Sequence, residues 1–168
     1  MRFAPASAAL ALLFAVTASV GQGADHVPDP RAAMLVAEGR AALEAGQPQA
    51  AIDSFEAALA VDPAHTAVFL DLAEVARREG LQGKAIRYYR EALERDPDNL
   101  AALSGEGEAL LEKGAVEKAR RNLAKLESMC GSQCSEAQSL AAAIARGPQP
   151  RVLTAEAVMP DTVVTQQN

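Results

Sequence analysis

Residues Ala51–Pro63 read AIDSFEAALAVDP, and residues Ala85–Pro97, displaced by 34, read AIRYYREALERDP. The two stretches share Ala-Ile at the start, Ala-Leu in the middle and Asp-Pro at the end. Lys84-Ala85 then returns as Lys118-Ala119, again 34 residues along. A constant displacement of this size marks stacked supersecondary units, each too thin to bury its own apolar side.

Working outward, the residue types fit paired helices. Gly39, Ala73 and Gly107 remove bulk where the first helix of a unit meets the second, and Ala51, Ala85 and Ala119 do so from the other side. Phe55 and Tyr89 follow their small alanines by four residues, one helical turn, and are placed to plug the remaining groove. Gly46, Gly80 and Gly114 punctuate turns inside units, while Pro63 and Pro97 end second helices and push the preceding Asp into extended backbone. The pattern predicts helices over Arg31 to Ala45, Pro48 to Val61, His65 to Glu79, Gln82 to Arg95, Asn99 to Lys113 and Ala115 to Met129. Ala137, Leu140, Ala141 and Ile144 give one apolar stripe and predict a seventh, capping helix over 135–146.

This arrangement resembles the tetratricopeptide repeat family. The first unit, residues 32–65, carries Leu35, Gly39, Gly46, Ala51, Phe55, Ala58 and Pro63 at the family's positions; the second, 66–99, carries Phe69, Leu72, Ala73, Gly80, Ala85, Tyr89, Ala92 and Pro97. The third, 100–131, keeps Leu103, Gly107, Gly114 and Ala119 but has Leu123, Leu126 and Gly131 where aromatic, alanine and proline are usual. The resemblance implies an all-α superhelical solenoid of three helix-turn-helix repeats plus the capping helix, spanning residues 32–147. Composition agrees: alanine is abundant, tryptophan is absent and aromatics make up 4% of 168 residues, so the core must form by close approach of small-residue surfaces.

The ends read differently. Arg2, the largely apolar run Leu10 to Val20 and the small residues through Ala24 have the form of a secretory signal peptide, residues 1–24, followed by a linker, 25–31. The uncharged stretch 3–20 is short and diluted by alanine and proline, so no integral membrane span is expected after its removal; an uncleaved start would make a membrane tether. The expected location is periplasmic or secreted, in a bacterium. Residues 148–168, with several prolines and neither period nor cap, read as a disordered tail. Without residues 1–24 the chain keeps 15 basic and 22 acidic residues, a formal charge of −7, which argues against nucleic acid as a partner.

Cys130 and Cys134, the two cysteines of the chain, flank a turn at Gly131. A zinc site needs four ligands, and thioredoxin-like chemistry uses two intervening residues on a strand-containing scaffold, so no metal site is expected and a disulfide staple is favoured in an oxidising compartment. Free thiols follow if the leader is misread, and a thiol-redox or thiol-metal handling protein using Met129, Cys130 and Cys134 stands as the alternative function. Closing so short a loop stabilises by about 2 kcal/mol in the chain-entropy model.

Nothing patterned for catalysis accompanies His26 or His65, which read as a solvated linker residue and a helix-start residue. The glycines recur with the repeat and form no phosphate loop, so neither enzyme activity nor a cofactor is expected. The resemblance implies instead a concave groove that receives a protein or peptide partner and is lined by first helices: Val36, Arg40 and Leu43, then Leu70, Glu74 and Arg77, then Ser104, Glu108 and Leu111. Family members that grip a terminal carboxylate use lysines, asparagines and an arginine; here those places hold Val36, Arg40, Asp71, Ala101 and Gly105, so that mode is not supported. On the convex side Lys84, Arg87, Lys118 and Arg121 would stack as a basic ladder that an acidic polymer, lipid head group or protein face could meet, although the spacing of Arg87–Glu91, Arg90–Glu94 and Glu117–Arg121 favours ordinary solvated surface pairs.

Overall fold

The computed structural model describes residues 26–148, and these form seven helices and no strand: α1 (Pro30–Glu44), α2 (Pro48–Val61), α3 (Ala67–Arg78), α4 (Gln82–Arg95), α5 (Leu100–Glu112), α6 (Val116–Cys130) and α7 (Ser135–Arg146). The expected leader, residues 1–24, and all but the first residue of the expected tail lie outside the described residues.

Local chemistry sets the boundaries. Asp29 caps α1 by accepting from the Arg31 N–H at 2.8 Å, with Pro30 at the first helical position, and Asn99 caps α5 by accepting from the Ala102 N–H at 2.9 Å. The turns inside the pairs repeat one hydrogen bond: Gln47 N–H to Ala42 O (2.9 Å), Leu81 N–H to Ala76 O (2.8 Å) and Ala115 N–H to Leu110 O (2.8 Å). This six-to-one closure needs a left-handed residue, supplied at the first turn by Gly46 with φ +72°. The turns between pairs repeat as well, with the His65 N–H bonded to Asp62 O and the Asn99 N–H to Asp96 O, each at 3.2 Å.

α1 packs on α2, α3 on α4 and α5 on α6; α2 meets α3, α4 meets α5, and α7 lies against both α5 and α6. Gly39 and Phe55 fit as expected, since a Cβ on Gly39 would stand 2.5 Å from Phe55 Cε1. Gly107 does not face α6 as the small-residue pattern suggested. It faces α7, where Leu140 is fully buried and its Cδ2 would lie 2.5 Å from an added Cβ. Tyr89 likewise reaches forward to the next pair, where its ring would meet a Cβ added at Gly105.

The linker expectation is also corrected. α1 already starts at Pro30, and His26 is not merely solvated: its Nε2 lies 2.7 Å from Asp62 Oδ2. Asp62 also accepts from the N–H groups of Asp29 (3.0 Å) and Ala64 (3.2 Å), so one carboxylate at the α2–α3 turn fastens the segment leading into α1. The Asp29 N–H chiefly holds the Asp62 carboxyl below its ordinary range; burial works the other way, and His26 adds to the lowering. A lowered carboxyl favours the folded state above the ordinary aspartate value of about 4, and that contribution is lost as pH falls through the folded value. Protection of the Asp29 amide should therefore be high at neutral pH and fall in acid, whereas in Asp62→Asn it should start low and change little. Equal acid sensitivity in both proteins would remove Asp62 as the fastener.

Candidate functional site

α1, α3, α5 and α7 carry the residues expected to line the groove, and the charged groups among them are tied to one another. Arg40 makes a two-pronged bond to Asp71, Nε to Oδ1 and Nη2 to Oδ2 at 2.9 Å each, joining α1 to α3. Arg77 joins α3 to α5 through Glu108 at 2.9 Å and through Glu112, with Glu74 3.7 Å away on its own helix. Glu112 also accepts from Gln82 Nε2 at 3.3 Å, and Glu108 from the Ser139 hydroxyl of α7 at 3.0 Å. Burial lowers the proton affinity of Arg77, but Glu112 and the Tyr89 hydroxyl more than offset it, so the guanidinium is held above its ordinary value. Burial raises the Tyr89 phenol, with Arg77 opposing.

A cleft of about 620 Å³ opens beside this network between α3, α5 and α7. Arg77, Glu108 and Glu112 form its charged wall, Leu111 and Ala143 its apolar floor, and Arg146 with Pro148 part of its rim. A shallower hollow next to it is lined by Tyr89, Ala101, Ser104 and Gly105.

The groove residues expected from sequence fall into two groups. Arg40 is exposed, and Leu43, Leu70, Glu74, Arg77 and Glu108 are partly exposed. Val36, Ser104 and Leu111 are each below 7% exposed; Val36 is packed beneath the surface, while the small remaining surface of Ser104 lines the hollow and that of Leu111 the cleft. Ser104 is covered because α7 lies over it, its hydroxyl donating to Glu136 O at 3.2 Å. The capping helix thus does more than close an end: Ser139, Ala143 and Arg146 extend the concave face, together with Glu112 of α5. Carrying the expected groove positions Ser104, Glu108 and Leu111 on by 34 points to Gln138, Ala142 and Ala145, each one residue before Ser139, Ala143 and Arg146, so repeat phase alone did not single them out.

The convex side departs from expectation. Arg90 reaches across to Glu106 of α5 at 2.7 Å instead of Glu94, Glu91 pairs with Arg95 at 2.8 Å, and Glu117 pairs with Arg120 at 3.1 Å. Glu106 is buried between helices and also accepts from Asn122 Nδ2 of α6 at 3.0 Å, which gives it a stronger hold on Arg90 than an exposed glutamate one turn away. Lys84 and Arg87 lie 5.7 and 5.8 Å from the Tyr88 ring centroid. Cys130 ends α6 and Cys134 precedes α7, their Cα atoms 5.9 Å apart, a span a disulfide bridges. Among the described residues no group of three or more His, Cys, Asp or Glu is placed to hold a metal, and no helix is long and apolar enough to cross a membrane.

Comparisons with known proteins agree with this architecture. Two tetratricopeptide repeat family profiles match, over residues 36–99 and 76–144. The first such domain of Spaghetti (RPAP3), solved with the HSP90 peptide SRMEEVD, superposes with TM-score 0.63 at 20% identity, covering 73% of this chain and 97% of that one. The Arabidopsis OM64 domain gives 0.62 at 16% identity (69% and 95% covered), and the Sgt2 domain of Aspergillus fumigatus 0.62 at 24% (74% and 87%). No curated protein sequence matches the chain. At these identities the structural likeness concerns the fold alone.

Proposed function

The chain belongs to the tetratricopeptide repeat family, and from that premise we propose that it is a non-catalytic docking module of the cell envelope or secreted space. It seats a short partner segment on the concave face of α1, α3, α5 and α7. The observation that carries this is the cleft beside Arg77, where an apolar floor of Leu111 and Ala143 lies against paired charges. Related folds solved with HSP90 and HSP70 peptides support a peptide as the occupant. The chemistry of that peptide differs from an acid-ended tail: Arg40, the one cation matching such a clamp, is already engaged by Asp71. A segment with a few aliphatic side chains and mixed charges suits the face better.

The leader-like residues 1–24 support export, and in an oxidising compartment Cys130 and Cys134 form a disulfide that ties α6 to α7. One experiment covers these points. A photo-crosslinking residue at Ala101, exposed on the concave side, should trap a specific partner segment in the native cells, whereas the same residue at Arg87 on α4 should not. Protein recovered from the envelope fraction should lack residues 1–24 and have no alkylatable thiol. Equal trapping at both positions would count against the groove; full-length, thiol-bearing protein would count against export.

A further inference from the structure

We propose that the chain pairs with a second copy of itself through the exposed side of α1, the two helices lying antiparallel about a two-fold axis at the level of Met34 and Leu35. This face is separate from the cleft beside Arg77 and does not depend on it.

The two ends of the helical stack are finished differently. At the far end α7 lies over the last pair, with Leu140 fully buried beneath it. At the near end α1 meets only α2 and α3 among the described residues. Pro30, Ala33, Met34, Ala37 and Ala41 are all exposed on α1, at helical spacings of three and four that put them on one side. Met34 is 74% exposed, the most exposed large apolar side chain on any described helix. A solenoid keeps its end unit single by giving it a polar outer side, and this strip carries no charge.

The charges along its edge select the occupant. Arg31 and Glu38 are both exposed, and neither makes an ion pair among the described residues. They stand seven residues apart, which brings them within about 20° of one another around the helix and roughly 10 Å along it. Both therefore lie on the same edge of the strip. A two-fold axis between antiparallel helices sets each edge against the same edge of the second copy in reverse order. With the axis midway between Arg31 and Glu38, Arg31 opposes Glu38 of the second copy and Glu38 opposes its Arg31. A basic-then-acidic order is its own complement when reversed, which is what contact between identical surfaces requires. The same register brings the two Met34 side chains together and sets Ala37 beside Ala33 of the second copy, small residues that let the backbones approach closely. Burial of Met34 and the alanines drives association, while the exposed ion pairs fix orientation.

The test uses the protein as recovered from the native cells, which should sediment as a dimer that dissociates on dilution. Met34→Glu should keep the helical signal, since the side chain it replaces is exposed, and abolish the dimer. Arg31→Glu and Glu38→Arg should each weaken pairing about tenfold or more, because each puts two like-charged pairs in place of two attractive ones. Mixing those two variants should restore a dimer made of one copy of each. Leu81→Glu, at the exposed apolar residue before α4, should leave the dimer intact. A photo-crosslinking residue at Ala37 should trap a second copy, giving a band of doubled mass. A chain that stays monomeric up to millimolar concentration would overturn the proposal, and so would a crosslink at Ala37 to a different protein or to the chain's own residues 1–25. A dimer that survives Met34→Glu would place the contact on another face, and a mixture that fails to restore pairing would deny the antiparallel register; either result overturns the proposal.

Discussion

Phe55→Ala should cost about 3–5 kcal/mol in a denaturant titration, the largest loss of any single substitution considered for this fold. Phe55 is fully buried, and its ring fills the space that Gly39 leaves between α1 and α2. Because a solenoid holds each helix pair mainly through its neighbours, the loss should concentrate in α1 and α2, whose amides should exchange sooner than those of α5 and α6. Gly39→Ala tests the same contact from the other side. Alanine favours a helix over glycine by about 1 kcal/mol, but its methyl would sit 2.5 Å from an aromatic ring carbon, and overpacking of that kind costs about 1–3 kcal/mol. Combining Gly39→Ala with Phe55→Leu should cost less than the sum of the two separate losses. Gly107→Ala should be milder than Gly39→Ala, since the atom in the way is a terminal methyl of Leu140 that a rotamer change moves aside. A loss under 1 kcal/mol for Phe55→Ala would show that the ring does not key the pair.

The helices were legible because their punctuation is local. α2, α4 and α7 run over the predicted residues, and the other four differ from prediction by at most two residues at either end. α3 starts later than predicted, at Ala67, because Thr66 makes no capping side-chain bond and His65 belongs to the turn held by Asp62. Pairings between helices were not legible. An arginine chooses among all carboxylates within its reach, and the buried Glu106 outcompeted Glu94 for Arg90 through geometry that only stacking creates. The exposure of the expected groove residues was half legible. Arg40, Glu74, Arg77 and Glu108 keep accessible surface as their phase suggested, but how far Val36, Ser104 and Leu111 sink depends on how closely successive pairs approach and on where α7 lies. The same packing decision made α7 part of the cleft, although its sequence advertises only one apolar stripe.

Arg77→Ala should cost about 1–3 kcal/mol and change the concave face more than any other single charge removal. Deleting the guanidinium leaves Glu108 and Glu112 facing each other without their shared cation, and Glu74 nearby adds a third negative charge. A fully buried pair broken in this way costs about 3–5 kcal/mol, but here the glutamate side chains are 21% and 32% exposed, so water relieves part of the penalty. Arg40→Ala makes the contrast. Its partner Asp71 is shielded, but Arg40 itself is 56% exposed, and a pair of that kind contributes about 1 kcal/mol or less. Arg77→Lys should recover only part of the loss, because a single ammonium cannot serve two carboxylates in the planar fork that Arg77 presents. A double-mutant cycle with Glu112→Ala separates charge from packing: a coupling near 1 kcal/mol or more marks the ion pair, whereas additive losses would assign the whole effect of Arg77 to the contacts of its aliphatic stem. The consequence for binding follows from sign. Without Arg77 the cleft becomes more acidic, so trapping of a cationic segment at Ala101 should rise relative to an acidic one, and an unchanged preference would remove Arg77 from the recognition surface.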